Sequence, residues 1–484
     1  MYSYNTYFNN QYYNTIGSNK SRKAENVEQV EVKNMSKVTP RRNYKQMATV
    51  PFNPTFSASA LRTTLISNDE KNKYIALQKN LDRHGKKELD ALLKSGILLN
   101  AESSDNSTVL DNLYNMVSVE RAPGLNAQSL LKDVISTLSN PYIITQQFGD
   151  IPSNYKTSVL NSYMSDKGMS QADSKEKMSA ENNINVTHSG TCVAASIEFN
   201  LAKKEPAEFA RFAERLSSKD NQVEKVIHLD KLADNTLDAI WLLNAFEVPY
   251  KMDNFNKAEL TFKPDKYALT RAQIQTTNKD NGERSPIDVL MQSTFMQIGS
   301  QQSYNSLTDK RTGKFNQNDK GLIEFEKTFT ESVVEDKNKI SVTYQTVDEN
   351  ARLVGHETDM DTLKRHLTSA LDAGENVILG YTQTDNNNII INGHEITLTG
   401  YRKNPDGKLT FICNDTDDNV SKPIEYSEDY LLPKIHHAAL PQAIVAKDVK
   451  LVENWVEGLK NYNEMKKQQQ SNEKVMSNQY SLAA

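Results

Sequence analysis

Sulfur is scarce in this chain: 484 residues carry only 2 cysteines. That excludes a disulfide framework and a four-thiolate zinc site. Long hydrophobic runs are missing as well, and no stretch approaches the roughly 18 apolar residues of a membrane helix. Hydrophobic residues make up 37% of the chain, little for a compact protein, although 15 Phe and 21 Tyr still supply a core. Neither charge sign dominates. The 57 basic and 62 acidic side chains leave a net of -5, which gives no general affinity for nucleic acid. Neither GKS nor GKT occurs, so there is no phosphate-cradling loop of that kind. The first residues, MYSYNTYFNNQYYNTIGSNKSRK, lack a basic stretch followed by an apolar one. No cleavable secretory leader is therefore expected, and the location expected is the cytoplasm or export by a leaderless route.

What is present divides the chain into five stretches. Residues 1–60 form a basic arm, expected to be disordered, with eight Lys/Arg and three Glu. Residues 61–145 show helical spacing, through Leu77, Leu81, Leu89 and Leu92, then Leu110, Leu113, Leu130, Leu131 and Val134. Residues 146–184 read as a polar linker or a pro-like segment, and residues 185–440 as the main body. Residues 441–484 end in a polar helix and tail. Within the body, helices come first. One opens at Cys192, one at Asp234 or Asn235, and one at Ser285-Pro286 with Asp288 completing a cap. Strands follow: Lys339–Val347, Asn376–Thr382, His394–Tyr401 and Lys408–Cys413, the last two joined by the turn NPDG. A helix over Asp361–Ala373 separates the first two. The expected class is α+β with two unlike halves.

The chemistry concentrates at few residues. Cys192 heads an apolar helix just behind Gly190. A thiolate is the reactive form of cysteine, and a helix N-terminus favours an anion. Such a nucleophile needs a base, and the base needs an orienter. His394 opens a strand behind a glycine and is the best base. The neighbouring strand ends in Asn414 and Asp415, either of which can hold the imidazole.

At these residues the chain resembles the papain-like cysteine peptidases. The resemblance rests on GTC before a small, apolar helix, on LKRHLTSALDAGENVILG at 363–380, on NGHEITLTGY at 392–401 and on LTFICND at 409–415. It covers residues 185–435, about half of the chain. It implies a two-lobed body, with a helical half carrying the cysteine and an antiparallel half carrying the histidine. It also implies peptide-bond hydrolysis through a thioester, with Cys192 as nucleophile, His394 as base and acid, and Asn414 as orienter. Two departures stand out. Family members often carry glutamine six residues before the cysteine, as an oxyanion donor, and here that position is Val186. Asn185, Gln146 and Gln147 are the candidates to replace it. Family members also place tryptophan soon after the asparagine, where this chain has DTDDN, so Asp415 stays open as the orienter.

No metal or organic cofactor is implied. The partner implied is a protein or peptide substrate, with neither nucleic acid nor membrane, and with the N-terminal region able to contact the cleft. Two alternatives keep the same residues: acyl transfer on glutamine side chains, of the deamidase or transglutaminase type, and an inactive fold used for binding. Cys413 alternates with Asn414 and is expected in the core. His188 and the run DTDDN read as solvated. His356, His366, His436 and His437 do not read as a metal set, because adjacent rings on a strand face opposite ways. Asn316–Lys327 resembles a calcium loop, but Lys320 and Lys327 fall at ligand positions and would repel the ion.

Overall fold

The computed structural model describes residues 62–147, 190–277, 284–313, 321–348, 350, 352–417 and 421–445. The basic arm, nearly all of the 146–184 segment, His188 and the C-terminal tail lie outside these residues.

Helices come first. α1 (Asn68–Asn80), α2 (Arg83–Lys94), α3 (Val109–Ser118) and α4 (Ala127–Ser139) form the N-terminal region. α5 (Cys192–Lys204), α6 (Pro206–Leu216), α7 (Thr236–Ala245), α8 (Ala268–Thr277) and α9 (Pro286–Gly299) follow, with a small sheet of β1 (Val223–His228), β2 (Tyr250–Asn254) and β3 (Lys257–Phe262). α9 starts where its sequence says it should. The Ser285 side chain accepts from the Asp288 N–H at 3.1 Å, and the Asp288 carboxylate accepts from the Ser285 N–H at 2.9 Å. The helices on both sides of residues 148–189 share one hydrophobic core, which runs from Leu77 through Leu131 to Phe199, Phe212 and Phe329. The boundary placed at residue 145 is thus not a boundary between cores.

The second half begins with α10 (Glu324–Glu335) and β4 (Lys339–Thr343). Next come β5 (Gln345–Val347), β6 (Leu353–His356), α11 (Met360–Asp372), β7 (Val377–Thr384), β8 (Ile390–Lys403), β9 (Leu409–Asn414), β10 (Ile424–Ser427) and β11 (Ile435–Pro441). The main sheet is antiparallel in the order β10-β9-β8-β7-β11-β4. The fold is α+β, as the order of elements implies. The single strand expected over Lys339–Val347 is instead two. β4 pairs with β11, and β5 leaves the sheet to pair with β6. Tyr344 stands at the break, its N–H donating to the His436 carbonyl at 2.7 Å. The NPDG turn joins β8 to β9, with Gly407 at φ +85°, where a side chain would be strained.

β7 ties the two halves together. Val377, Leu379 and Tyr381 join a second core with α11 residues Leu363 and Leu367. Ile378 points the other way, into the helical core. A strand buried on both faces needs a continuous apolar run, and NVILGYT supplies one. Cys413 is fully buried in the second core, as its alternation implied.

Candidate active site

Cys192 is the first residue of α5 and is partly exposed. The residues before it are held firmly. The Gly190 N–H donates to Asp309 Oδ2 at 2.7 Å, and the Thr191 hydroxyl donates to Gln292 Oε1 at 2.8 Å. The sulfur therefore sits at the positive end of a helix whose start is fixed from two sides.

His394 lies on β8, edge-on to the Tyr381 ring with centroids 5.7 Å apart. Its Nε2 is 2.8 Å from Asp415 Oδ1 and 3.6 Å from Asp417 Oδ2. The Cys192 side chain lies close enough to the same ring to favour its protonated form. With Nε2 engaged by Asp415, Nδ1 is the nitrogen left for sulfur. Burial alone would lower the His394 pKa. Asp417 and Asp415 beside it, with the hydrogen bond to Asp415 and the nearby Cys192 side chain, outweigh burial and hold it well above the ordinary histidine value.

Of the two candidate orienters, the one that meets the ring is Asp415. Asn414 still belongs to β9, where it pairs with Thr397. Its Nδ2 is buried and finds no acceptor among the described residues. Asp415 begins the turn after the strand, so strand alternation no longer dictates its direction. Three donors reach its carboxylate: His394, the Asp417 N–H at 3.0 Å and the Tyr426 hydroxyl at 3.3 Å. Burial pushes the Asp415 pKa up, but the His394 charge and these hydrogen bonds bring it below the usual value. The run DTDDN is thus not merely solvated. Asp417 is a site residue that sequence reasoning missed, and its position two residues after Asp415 in one turn was the available signal.

The oxyanion candidates separate. Asn185 lies outside the described residues. Gln147 turns its amide to the Asp417 carbonyl, donating at 3.2 Å. Gln146 is buried, and its backbone N–H donates to the Thr416 carbonyl at 3.1 Å. The Thr145 hydroxyl donates to that same carbonyl at 3.0 Å. Gln292 closes the arrangement. Its Nε2 donates to the Thr145 carbonyl at 2.9 Å while its Oε1 receives Thr191. One buried amide thereby links the residue before Cys192 to the segment beside the Asp415 turn, and nothing in the sequence around Gln292 announces it. The end of the N-terminal region forms part of the wall of this site.

The histidines behind β8 correct a second expectation. His436 and His437 are adjacent, yet both rings reach Glu324. The register between β11 and β7 shifts between Ile435 and His437, so His436 is an extra residue opposite β7. A bulge suspends strict alternation and lets neighbouring side chains share a side. The two Nδ1 atoms stand 3.1 Å apart, and His436 Nδ1 is 3.1 Å from Glu324 Oε1. His356 and His366 take no part in this group; His366 Nδ1 meets the Tyr344 hydroxyl at 2.9 Å. Lys327, set aside with the calcium loop, is a buried helical residue whose Nζ lies 3.2 Å from Glu395 Oε2.

No family model, curated protein or solved structure matches the chain. Among the described residues, no helix is long and apolar enough to cross a membrane.

Proposed function

We propose that this protein is a cysteine peptidase with a papain-like two-lobed body. The observation that supports it most is the meeting of Cys192, at a helix start, with a His394 ring that Asp415 holds through Nε2. The Cys192 thiol gives its proton to His394 Nδ1 and its Sγ attacks the carbonyl carbon of a peptide bond; that proton then passes from Nδ1 to the leaving amine as the C–N bond breaks. The product is a thioester on Cys192. Water then attacks the thioester with His394 as base, the carboxylic acid leaves, and the thiol is restored. Asp415 keeps the ring oriented and balances its charge without taking the proton, the role of a carboxylate in such triads.

The developing oxyanion needs donors. The backbone N–H of Cys192 is one, and the Gln146 amide is the second on this reading. Removing one such donor costs about 100- to 1000-fold in turnover. Gln146→Ala is therefore expected to lose that much turnover, while Gln147→Ala loses far less.

The deciding experiment incubates the full chain with unfolded proteins and analyses the products by mass. New peptide termini, absent with Cys192→Ala, are the expected result. A gain of about one dalton at glutamine without chain breaks would assign the same residues to deamidation instead. Equal cleavage by wild type and Cys192→Ala would overturn the proposal.

A further inference from the structure

We propose that Glu324, His436 and His437 form a binding site for one divalent transition-metal ion of the zinc class. The site is separate from the Cys192 centre and joins α10, whose Phe325 and Phe329 pack in the helical core, to the sheet. It does not depend on the peptidase reading.

The three donor atoms converge. His436 Nδ1 and His437 Nδ1 are 3.1 Å apart, and Glu324 Oε1 lies 3.1 Å from the first and 4.0 Å from the second. Around a tetrahedral zinc ion with bonds of about 2.0–2.1 Å, neighbouring donors stand roughly 3.3 Å from one another. The triangle is near that size before any ion enters.

Proton bookkeeping favours an ion over a hydrogen-bond network. His437 Nε2 lies 3.0 Å from Glu395 Oε1. A lone pair facing a carboxylate at that distance would be repelled, so the ring proton belongs on Nε2. That leaves the His437 Nδ1 lone pair aimed into the triangle. His436 Nδ1 then has one proton at most to offer to two acceptors, His437 Nδ1 and Glu324 Oε1. A cation at the centre satisfies all three lone pairs once the His436 proton moves to Nε2.

The surroundings are built as such sites are. A metal-bound histidine usually gives its other N–H to a carboxylate, and Glu395 stands there for His437. Lys327 Nζ, 3.2 Å from the other Glu395 oxygen, balances that second carboxylate. The Thr343 hydroxyl donates to Glu324 Oε2 at 3.0 Å and turns Oε1 to the histidines. A side chain at position 380 would collide with the His437 ring and with Glu395 Oε1, so Gly380 leaves the space in which His437 lies. Two nitrogens and one oxygen suit zinc, cobalt or nickel rather than calcium or magnesium. Glu324 is the first residue of α10 and the histidines sit on β11, so the ion would clamp a helix to the sheet.

The test uses the full chain carrying Cys192→Ala and His394→Ala, which removes the other place where sulfur and imidazole could hold zinc. After chelator treatment, zinc is titrated in competition with a chromophoric chelator. One equivalent should bind, and X-ray absorption at the zinc edge should report two imidazoles and no sulfur. Adding Glu324→Gln should abolish that equivalent. Adding Glu395→Gln should weaken it by about 10- to 100-fold, the usual effect of losing a carboxylate behind a ligating histidine. No zinc bound by the starting chain, fewer than two imidazoles, or unchanged affinity with Glu324→Gln would each overturn the proposal. The absorption result needs only the starting chain, so it decides even if Glu324→Gln fails to fold.

Discussion

Two histidine–carboxylate clusters lie at consecutive positions of β8, one built on His394 and the other reached through Glu395. They have opposite electrostatic outcomes. His394 is buried, but Asp415 and Asp417 crowd it and the described contacts include no cation beside them, so its pKa stands well above the ordinary value. His437 is equally buried. Burial lowers its pKa, the Lys327 charge lowers it further, and Glu395 and Glu324 only partly compensate. Glu395 itself would be raised by burial, yet Lys327 and His437 bring it down to about 2. One lysine therefore separates a ring suited to hold a proton from a ring suited to offer a lone pair. Carboxylates near a histidine do not by themselves define its role. The local charge balance does.

This contrast can be broken on either side. The largest effect is expected at the first cluster. Asp415→Ala should lower peptidase turnover by about 100- to 10,000-fold, the range that positioned acid–base groups supply. Asn414→Ala, which alters a residue that does not touch the ring, should stay within tenfold on the same assay. Equal losses would mean that the imidazole partner has been misassigned.

At the second cluster, Lys327→Met removes the balancing charge and leaves Glu395 buried without its cation. Breaking a buried pair in this way costs about 3–5 kcal/mol. Denaturant unfolding should register that loss, and a change below about 1 kcal/mol would show that the pair is not the balance described.

The smallest effect is the most specific. His394 has a raised pKa, so its contribution is complete below the unfolded value of about 6.5 and fades as pH rises through the folded value. His437 has a lowered pKa, so its contribution is complete above about 6.5 and is lost as pH falls through its folded value. Thermal unfolding should show His394→Gln costing less at alkaline pH than at pH 6. His437→Gln should lessen the loss of stability between pH 7 and 5. If both variants shifted the same limb of the profile, the two rings would not be opposites.

Much of the fold was legible because its signals are local. The Ser285-Pro286-Asp288 cap, the NPDG turn, the apolar run of β7 and the burial of Cys413 each depend on a few neighbouring residues. Cys192 was legible for the same reason, since a helix start places it; His394, expected to open its strand, instead lies inside β8, four residues after Ile390. What escaped depends on pairing across the sheet or on contacts between distant segments. The bulge that brings His436 and His437 to one side is a register shift between β11 and β7, visible in neither strand alone. Asp415 and Asp417 face His394 because β9 stops at Asn414 and the turn curls inward. Gln292 joins Thr145 to Thr191 across 147 and 101 positions of chain. The core shared by the helices on both sides of residues 148–189 likewise rests on contacts between distant segments.

The central claim is that Cys192 is a nucleophile made reactive by His394. The most direct measurement is the rate at which a thiol-directed alkylating probe labels the native chain at pH 7, located by peptide mass mapping. Labelling is expected at Cys192 alone, since Cys413 is fully buried. It should be slowed at least tenfold by His394→Ala while thermal unfolding shows that the variant remains folded. A labelling rate unchanged by His394→Ala, or a Cys192 that stays unmodified in the native chain, would contradict the claim.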